Sequence, residues 1–198
     1  MEARVGDCPE IRTERLLMRG WTPEDRVALA AVNGDPRVME FISSTMTAEQ
    51  SDAVADRVEA GFALRGFGFW AAEAPGVAPF VGFVGLNVPR FEAPFMPAVE
   101  VGWRLDAAFW GRGYASEAAR AALEFGFDVL RLNEIVAFTA VENLRSRRVM
   151  ERIGMTCDPR DDFDHPLVPP DSLLRAHVLY RIGAEDHERS RGSYADSC

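Results

Sequence analysis

The sequence contains no lysine: all 22 of its basic residues are arginine. A Walker-type phosphate loop needs its lysine and a pyridoxal-phosphate enzyme needs a lysine Schiff base, so both chemistries are excluded at the outset. Cysteine is nearly as scarce, with only Cys8, Cys157 and Cys198, an odd number at wide spacing that gives no disulfide framework. Histidine is confined to His165, His177 and His187, none spaced with Cys157 or an aspartate as a tetrahedral metal site requires, and no metal is expected. There is no G-x-S-x-G nucleophile elbow, which argues against a Ser-His-Asp hydrolase. The longest charge-free run, residues 74–89, has 16 residues including three prolines, and the opening residues lack the apolar core of a signal peptide. The expected setting is soluble, reducing and cytoplasmic.

What is present fits one hydrophobic core. The chain has 198 residues, 47% of them hydrophobic and 27% charged. At that length folding buries roughly 70% of the surface the unfolded chain exposes, enough to dispense with disulfides and structural metals. The net charge of −9 disfavours a nucleic-acid scaffold, whose affinity comes from clustered cations, and favours basic or cationic partners. Without an internal repeat or a Gly/Ser/Pro linker, residues 12–183 read as a single domain. Residues 1–11 and 184–198 read as flexible ends, the latter having no aliphatic side chain larger than alanine.

Local patterns predict the elements. Residues 16–19 read as a first strand, and Thr22-Pro23-Glu24-Asp25 as a helix start, with Thr22 as cap and helical patterning to about Asn33. A second helix covers about 48–64. Residues 67–73, 80–88 and 99–105 are aromatic and β-branched segments separated by Pro and Gly turns, as in a meander. From Tyr114 the period becomes helical through Leu130. Residues 135–141 form an apolar run typical of a strand covered on both faces, Asn143 caps another helix to Ile153, and Val178, Tyr180 and Ile182 alternate in a last strand. The predicted order is β-α-α-β-β-β-α-β-α-β-β, an α/β (α+β) fold with a mixed, mostly antiparallel sheet of about six or seven strands flanked by helices.

The most informative stretch runs from Val99-Glu100-Val101-Gly102-Trp103-Arg104-Leu105 to Trp110-Gly111-Arg112-Gly113-Tyr114-Ala115-Ser116-Glu117. It reads as strand, turn, glycine loop and helix. Two glycines one residue apart let backbone pass close to a ligand, and the helix that begins there points unpaired N–H groups and its positive dipole end outward. A diphosphate can be held there without lysine. The Rossmann fingerprint is disfavoured, since it belongs early in a parallel βαβ unit with different small-residue spacing. A glycine-rich helix start without any ligand is the plainer alternative.

These residues resemble the GNAT superfamily of acetyl-CoA-dependent N-acyltransferases, in its RimJ/RimL-like branch, over roughly residues 12–182. The resemblance rests on Thr13-Glu14-Arg15-Leu16-Leu17-Met18-Arg19, on Val101-Gly102-Trp103 through Trp110-Gly111-Arg112-Gly113-Tyr114-Ala115-Ser116-Glu117-Ala118, and on Asn143-Leu144-Arg145-Ser146 through Met155. It implies acetyl-CoA as cosubstrate, with backbone groups of Trp103 and Leu105 offered to the pantetheine arm and residues Gly111 to Ser116 wrapped around the pyrophosphate. Trp110 stands where the superfamily loop often begins with Gln or Arg, which matters little because the loop works through backbone atoms. The resemblance also implies that Asn143 meets the cofactor near its thiol end and that Ser146 protonates the leaving thiolate. Many relatives carry a tyrosine for that proton at the position of Met150, whose thioether has none to give. Taken alone, Asn143 and Ser146 favour a plain helix cap and its first turn.

Glu100 is either a solvated or arginine-paired strand carboxylate or the base that strips the acceptor ammonium, directly or through water. An α-amino group with pKa ~8 yields its proton more readily than a lysine at ~10.4. Four arginines accompany one glutamate in the last helix. One of them, Arg147, is the candidate to pair with adenosine phosphates. Candidate acceptor walls are residues 41–46, residues 91–96 and the acidic loop carrying Asp158, Asp161, Asp162 and Asp164. The expected activity is acetyl transfer to a primary amine, a protein N-terminus or a small molecule, by direct attack in a ternary complex. Cys157 is expected to be buried or structural rather than a nucleophile. No DNA or membrane partner is expected, and a homodimer is compatible with the sequence. The alternatives are a catalytically silent CoA-binding sensor or scaffold, motivated by Met150, and a dinucleotide-binding enzyme using the same loop.

Overall fold

A computed structural model describes residues 8–42 and 44–195, and side chains to residue 189. The chain divides into two compact units, Met1–Asn87 with Val101–Ala122, and Val88–Glu100 with Leu123–Cys198, where the sequence predicts a single domain.

The first unit contains β1 (Ile11–Arg12), β2 (Leu17–Arg19), α1 (Pro23–Gly34), α2 (Pro36–Met39), α3 (Ala48–Arg65), β3 (Phe69–Ala74), β4 (Ala78–Asn87), most of β5 (Glu100–Leu105) and most of α4 (Tyr114–Glu124). Its strands lie in the order β1-β2-β3-β4-β5, antiparallel from β1 to β4. Thr22 and Pro23 start α1 as the sequence predicts, and the Asp25 carboxylate accepts the Thr22 N–H at 2.8 Å. The apolar face of α1 (Leu29, Val32) packs with Val38, Met39, Ala55, Phe80 and Phe83 in a core that also engages Trp21, Met46 and Trp110. Burial on this scale supplies the unit's cohesion at about 25 cal/mol per Å² of apolar surface.

The second unit is built on β6 (Glu134–Ala140), paired antiparallel with β9 (Ala176–Gly183) from Glu134 opposite Gly183 to Ala140 opposite His177. The short strands β7 (Thr156–Cys157) and β8 (Phe163–Asp164) also pair with β9, and α5 (Leu144–Arg152) follows β6. Glu100, at the start of β5, registers parallel with Val136, so the fold is mixed but mostly antiparallel. Phe91, Phe95, Phe138, Phe163, His165 and His177 form one aromatic cluster, with the two imidazoles 4.9 Å apart.

Several expectations need correction. Among the described residues the sheet has nine strands instead of six or seven, because β1, β7 and β8 are two-residue pairings too short to carry a period. The helix from Tyr114 is not uniform: Phe125–Val129 widens into a π-turn, with the Leu130 N–H donating to the Phe125 carbonyl at 3.2 Å. The termini are also more structured than their composition predicts. Ala184–Ala195 forms a helix, α6, whose His187 is buried and stacked on Phe127 at 4.8 Å. Near the other end, the Pro9 carbonyl accepts the Trp70 indole N–H at 2.7 Å. The expected flexibility of residues 1–7 and 196–198 lies outside the described residues. Cys157, expected to be buried or structural, is exposed at the edge position that β7 occupies.

Candidate active site

The glycine loop is held by residues about a hundred positions earlier in the chain. Glu117, in the first turn of α4, accepts from the Thr13 hydroxyl at 2.6 Å, the Arg15 N–H at 2.8 Å and Arg15 Nε at 2.7 Å. Arg15 Nη1 then donates to the Arg112 carbonyl at 2.9 Å, and its guanidinium lies over the Tyr114 ring at 5.2 Å. Burial pushes the Glu117 carboxyl up, but the hydrogen bonds from Thr13 and Arg15 outweigh it and hold the group below its ordinary pKa. Trp110 braces the other side, its indole N–H donating to the Leu105 carbonyl at 3.0 Å. The sequence offers no side-chain role for Trp110, and of the Leu105 backbone groups expected to serve the pantetheine arm, the carbonyl already accepts from this indole.

Side chains thus fix the loop while its backbone donors stay available. Gly111 and Gly113 have φ of +74° and +83°, a region L side chains avoid. The first α4 hydrogen bond runs from the Glu117 N–H to the Gly113 carbonyl at 3.0 Å. Among the described residues no group accepts from the N–H of Gly113, Tyr114, Ala115 or Ser116. Gly111, Arg112 and Gly113 are exposed, and a Cβ added at Gly111 would meet nothing within 4 Å. Four outward amides at the positive end of an 11-residue helix fit a diphosphate.

In the second unit the structure brings Asn143, Ser146 and Arg147 together at the start of α5. Asn143 Oδ1 accepts the Ser146 N–H at 3.2 Å, while Nδ2 donates to Thr139 Oγ1 at 2.9 Å and to Ser146 Oγ at 3.1 Å. The cap predicted from sequence is therefore present. It also leaves the Ser146 hydroxyl proton uncommitted, because Oγ serves as acceptor. Arg147 donates through Nη1 to the Val141 carbonyl at 3.0 Å and through Nε to the Tyr180 hydroxyl at 3.5 Å, so two of its faces are occupied by protein. Tyr180, which sequence reasoning missed, in turn donates to Glu151 at 3.0 Å. Met150 is buried. Glu100 and Trp103 are partly exposed on β5, where alternation puts them on opposite faces. Among the described residues no group of three His, Cys, Asp or Glu is arranged to hold a metal, and no helix is long and apolar enough to cross a membrane.

Comparison with known proteins accords with this geometry. Residues 15–156 match the Acetyltransferase (GNAT) domain family. The chain is 30% identical over 185 residues to the FsC-acetyl coenzyme A-N(2)-transacetylase of Aspergillus fumigatus, covering 90% of this chain and 77% of that protein. It is 31% identical over 176 residues to the uncharacterized N-acetyltransferase YnaD of Bacillus subtilis, covering 89% and 98%. A GNAT-family acetyltransferase structure from Bacillus anthracis superposes with a TM-score of 0.73 at 28% identity, covering 89% of this chain and 99% of that one. The chain with its glycine loop and capped α5 belongs to the GNAT acetyltransferase family, enzymes of acetyl-CoA-dependent N-acetylation.

Proposed function

We propose that this chain, a RimJ/RimL-like member acting in the cytoplasm, moves the acetyl group of acetyl-CoA to a primary amine by direct attack in a ternary complex. The observation that carries this reading is the row of uncommitted amides from Gly113 to Ser116, set by two left-handed glycines and clamped by Arg15 and Glu117. In this assignment residues Gly111 to Ser116 grip the diphosphate, and β5 main chain at Trp103 and Leu105 serves the pantetheine arm. Glu100 takes the proton from the acceptor ammonium. The freed nitrogen lone pair forms the C–N bond at the thioester carbonyl and the C–S bond breaks. The departing thiolate takes the hydroxyl proton of Ser146, whose oxygen Asn143 positions. The nitrogen, now bonded to carbon, gives its second proton through water to the Ser146 oxygen, which restores the hydroxyl, and Glu100 releases its proton to solvent. Arg147 is the candidate contact for an adenosine phosphate.

The test is thiol release from acetyl-CoA across small amines and peptides with N-terminal Ala, Ser or Met, run on the wild type and on Glu100→Gln. Turnover of the variant is expected to fall by roughly 10²-fold, the low end for a lost general base, and mainly at low pH where the amine is protonated. A pH-independent loss would remove Glu100 from the chemistry. Acetyl-CoA binding without thiol release from any acceptor would favour the silent sensor instead.

A further inference from the structure

We propose that the acceptor amine also carries a carboxylate, received by a pocket of the first unit that Arg57 lines and Arg104 backs. This rests on the acetyl-transfer reading above and narrows the acceptor's chemistry.

The pocket has a volume of about 280 Å³ and lies between the segment before α3 and the exposed side of that helix, with Thr45, Met46, Gln50, Val54 and Arg57 in its wall. Its size suits a small head group better than a drug-sized ligand, which occupies roughly 300–1,000 Å³. In a chain of net charge −9, none of the residues lining it is acidic. Its donors are also uncommitted. Arg57 makes no ion pair or hydrogen bond with any described residue. Gln50 accepts the Thr47 N–H through Oε1, which leaves its amide NH₂ without an acceptor among the described residues.

Behind this wall stands a second guanidinium. Arg104 Nη1 donates to Asn33 Oδ1 at 2.6 Å, and its guanidinium lies over the Phe83 ring at 5.4 Å. Its Nε is buried with no hydrogen-bond partner, and no described carboxylate pairs with it. Asn33 ties the arginine to the pocket: its Nδ2 donates to Ser51 Oγ at 2.9 Å and its carbonyl accepts the Met46 N–H at 2.9 Å. Burial pulls the Arg104 guanidinium down to about 10, and the field of Arg57 adds to the effect. Two like charges held close without a counter-ion cost free energy that a bound carboxylate returns.

The experiment compares acceptors that differ at the carboxylate: alanine with alaninamide, serine with serinamide, and dipeptides with free or amidated C-termini. Each pair is assayed by thiol release on the wild type, Arg57→Gln and Arg104→Met. The wild type is expected to prefer the acid member by at least about tenfold in kcat/KM, and Arg57→Gln to bring the ratio within about threefold while rates on the amides hold. Because Arg57 is exposed and bonds no described residue, its replacement tests the pocket even if Arg104→Met fails to fold. Equal rates on both members would overturn the proposal, as would Arg57→Gln weakening acetyl-CoA binding, which would give the pocket to the cosubstrate. If no amine is turned over, the transfer reading fails on its own. Thermal shift in the presence of acetyl-CoA then decides the pocket: stabilisation by the acids alone, lost in Arg57→Gln, supports it, and equal shifts from acids and amides sink it.

Discussion

The loop before α4 and the start of α5 solve opposite problems. In the loop, Thr13 and Arg15 bind Glu117, Arg15 and Trp110 hold the Arg112 and Leu105 carbonyls, and the backbone amides are left for a ligand. At α5 the backbone is satisfied by a side chain, Asn143, and the uncommitted proton belongs to the Ser146 hydroxyl. Recognition of a diphosphate tolerates many side chains provided the main chain is held, whereas proton delivery depends on one atom. Substitutions in the first region should therefore act on affinity, and those in the second on turnover.

The sharpest test of that contrast is Ser146→Ala. It should lower kcat by about 10²-fold, with acetyl-CoA affinity and melting temperature nearly unchanged, since Ser146 Oγ only accepts a bond from Asn143. A loss confined to KM, read from steady-state kinetics, would erase the distinction. Next in size is Gly113→Val, which places a branched side chain at φ +83° with its Cβ 3.2 Å from Arg15 Nη2. Acetyl-CoA affinity by calorimetry should fall at least about tenfold, with a stability cost of about 1–2 kcal/mol for the left-handed conformation. Unchanged affinity would remove the loop from the site. Glu117→Gln should act in the same sense but less, loosening Arg15 and Thr13 for a stability loss of about 1–3 kcal/mol and a severalfold weaker acetyl-CoA complex, with kcat at saturation preserved.

Acid should separate the two units by the order in which they loosen. Burial, and for His165 also the neighbouring His177, lowers both imidazoles, His165 to about 4 from its ordinary 6.5. A folded pKa below the unfolded one means that the neutral ring's contribution is intact above 6.5 and is lost as pH falls from there to about 4, at no more than about 1.4 kcal/mol per pH unit for one proton. Glu117, held below the ordinary 4.5 for its carboxyl, keeps its contribution above 4.5 and loses it only at lower pH. Hydrogen exchange near pH 5 should therefore quicken around Phe91, Phe163 and His177 before the Arg15–Glu117 clamp opens. Simultaneous opening would show that the histidines do not govern the second unit's acid response.

Much of this molecule is written in short-range pattern. Thr22-Pro23, the alternation of β5, the spacing of Gly111 and Gly113 and the Asn143 cap each express a preference that neighbouring residues settle among themselves, and each stands where the sequence places it. The family too was legible, because its loop and caps are local words. What only the tertiary structure decided joins residues far apart. Glu117 meets Thr13 across 104 positions and Arg104 meets Asn33 across 71, and no periodicity encodes such partners. The same holds for the burial of His187 in a helix that composition reads as loose, and for the exposure of Cys157. Short-range propensity fixes which conformation a segment prefers, but burial and charge pairing depend on what the rest of the chain brings alongside it.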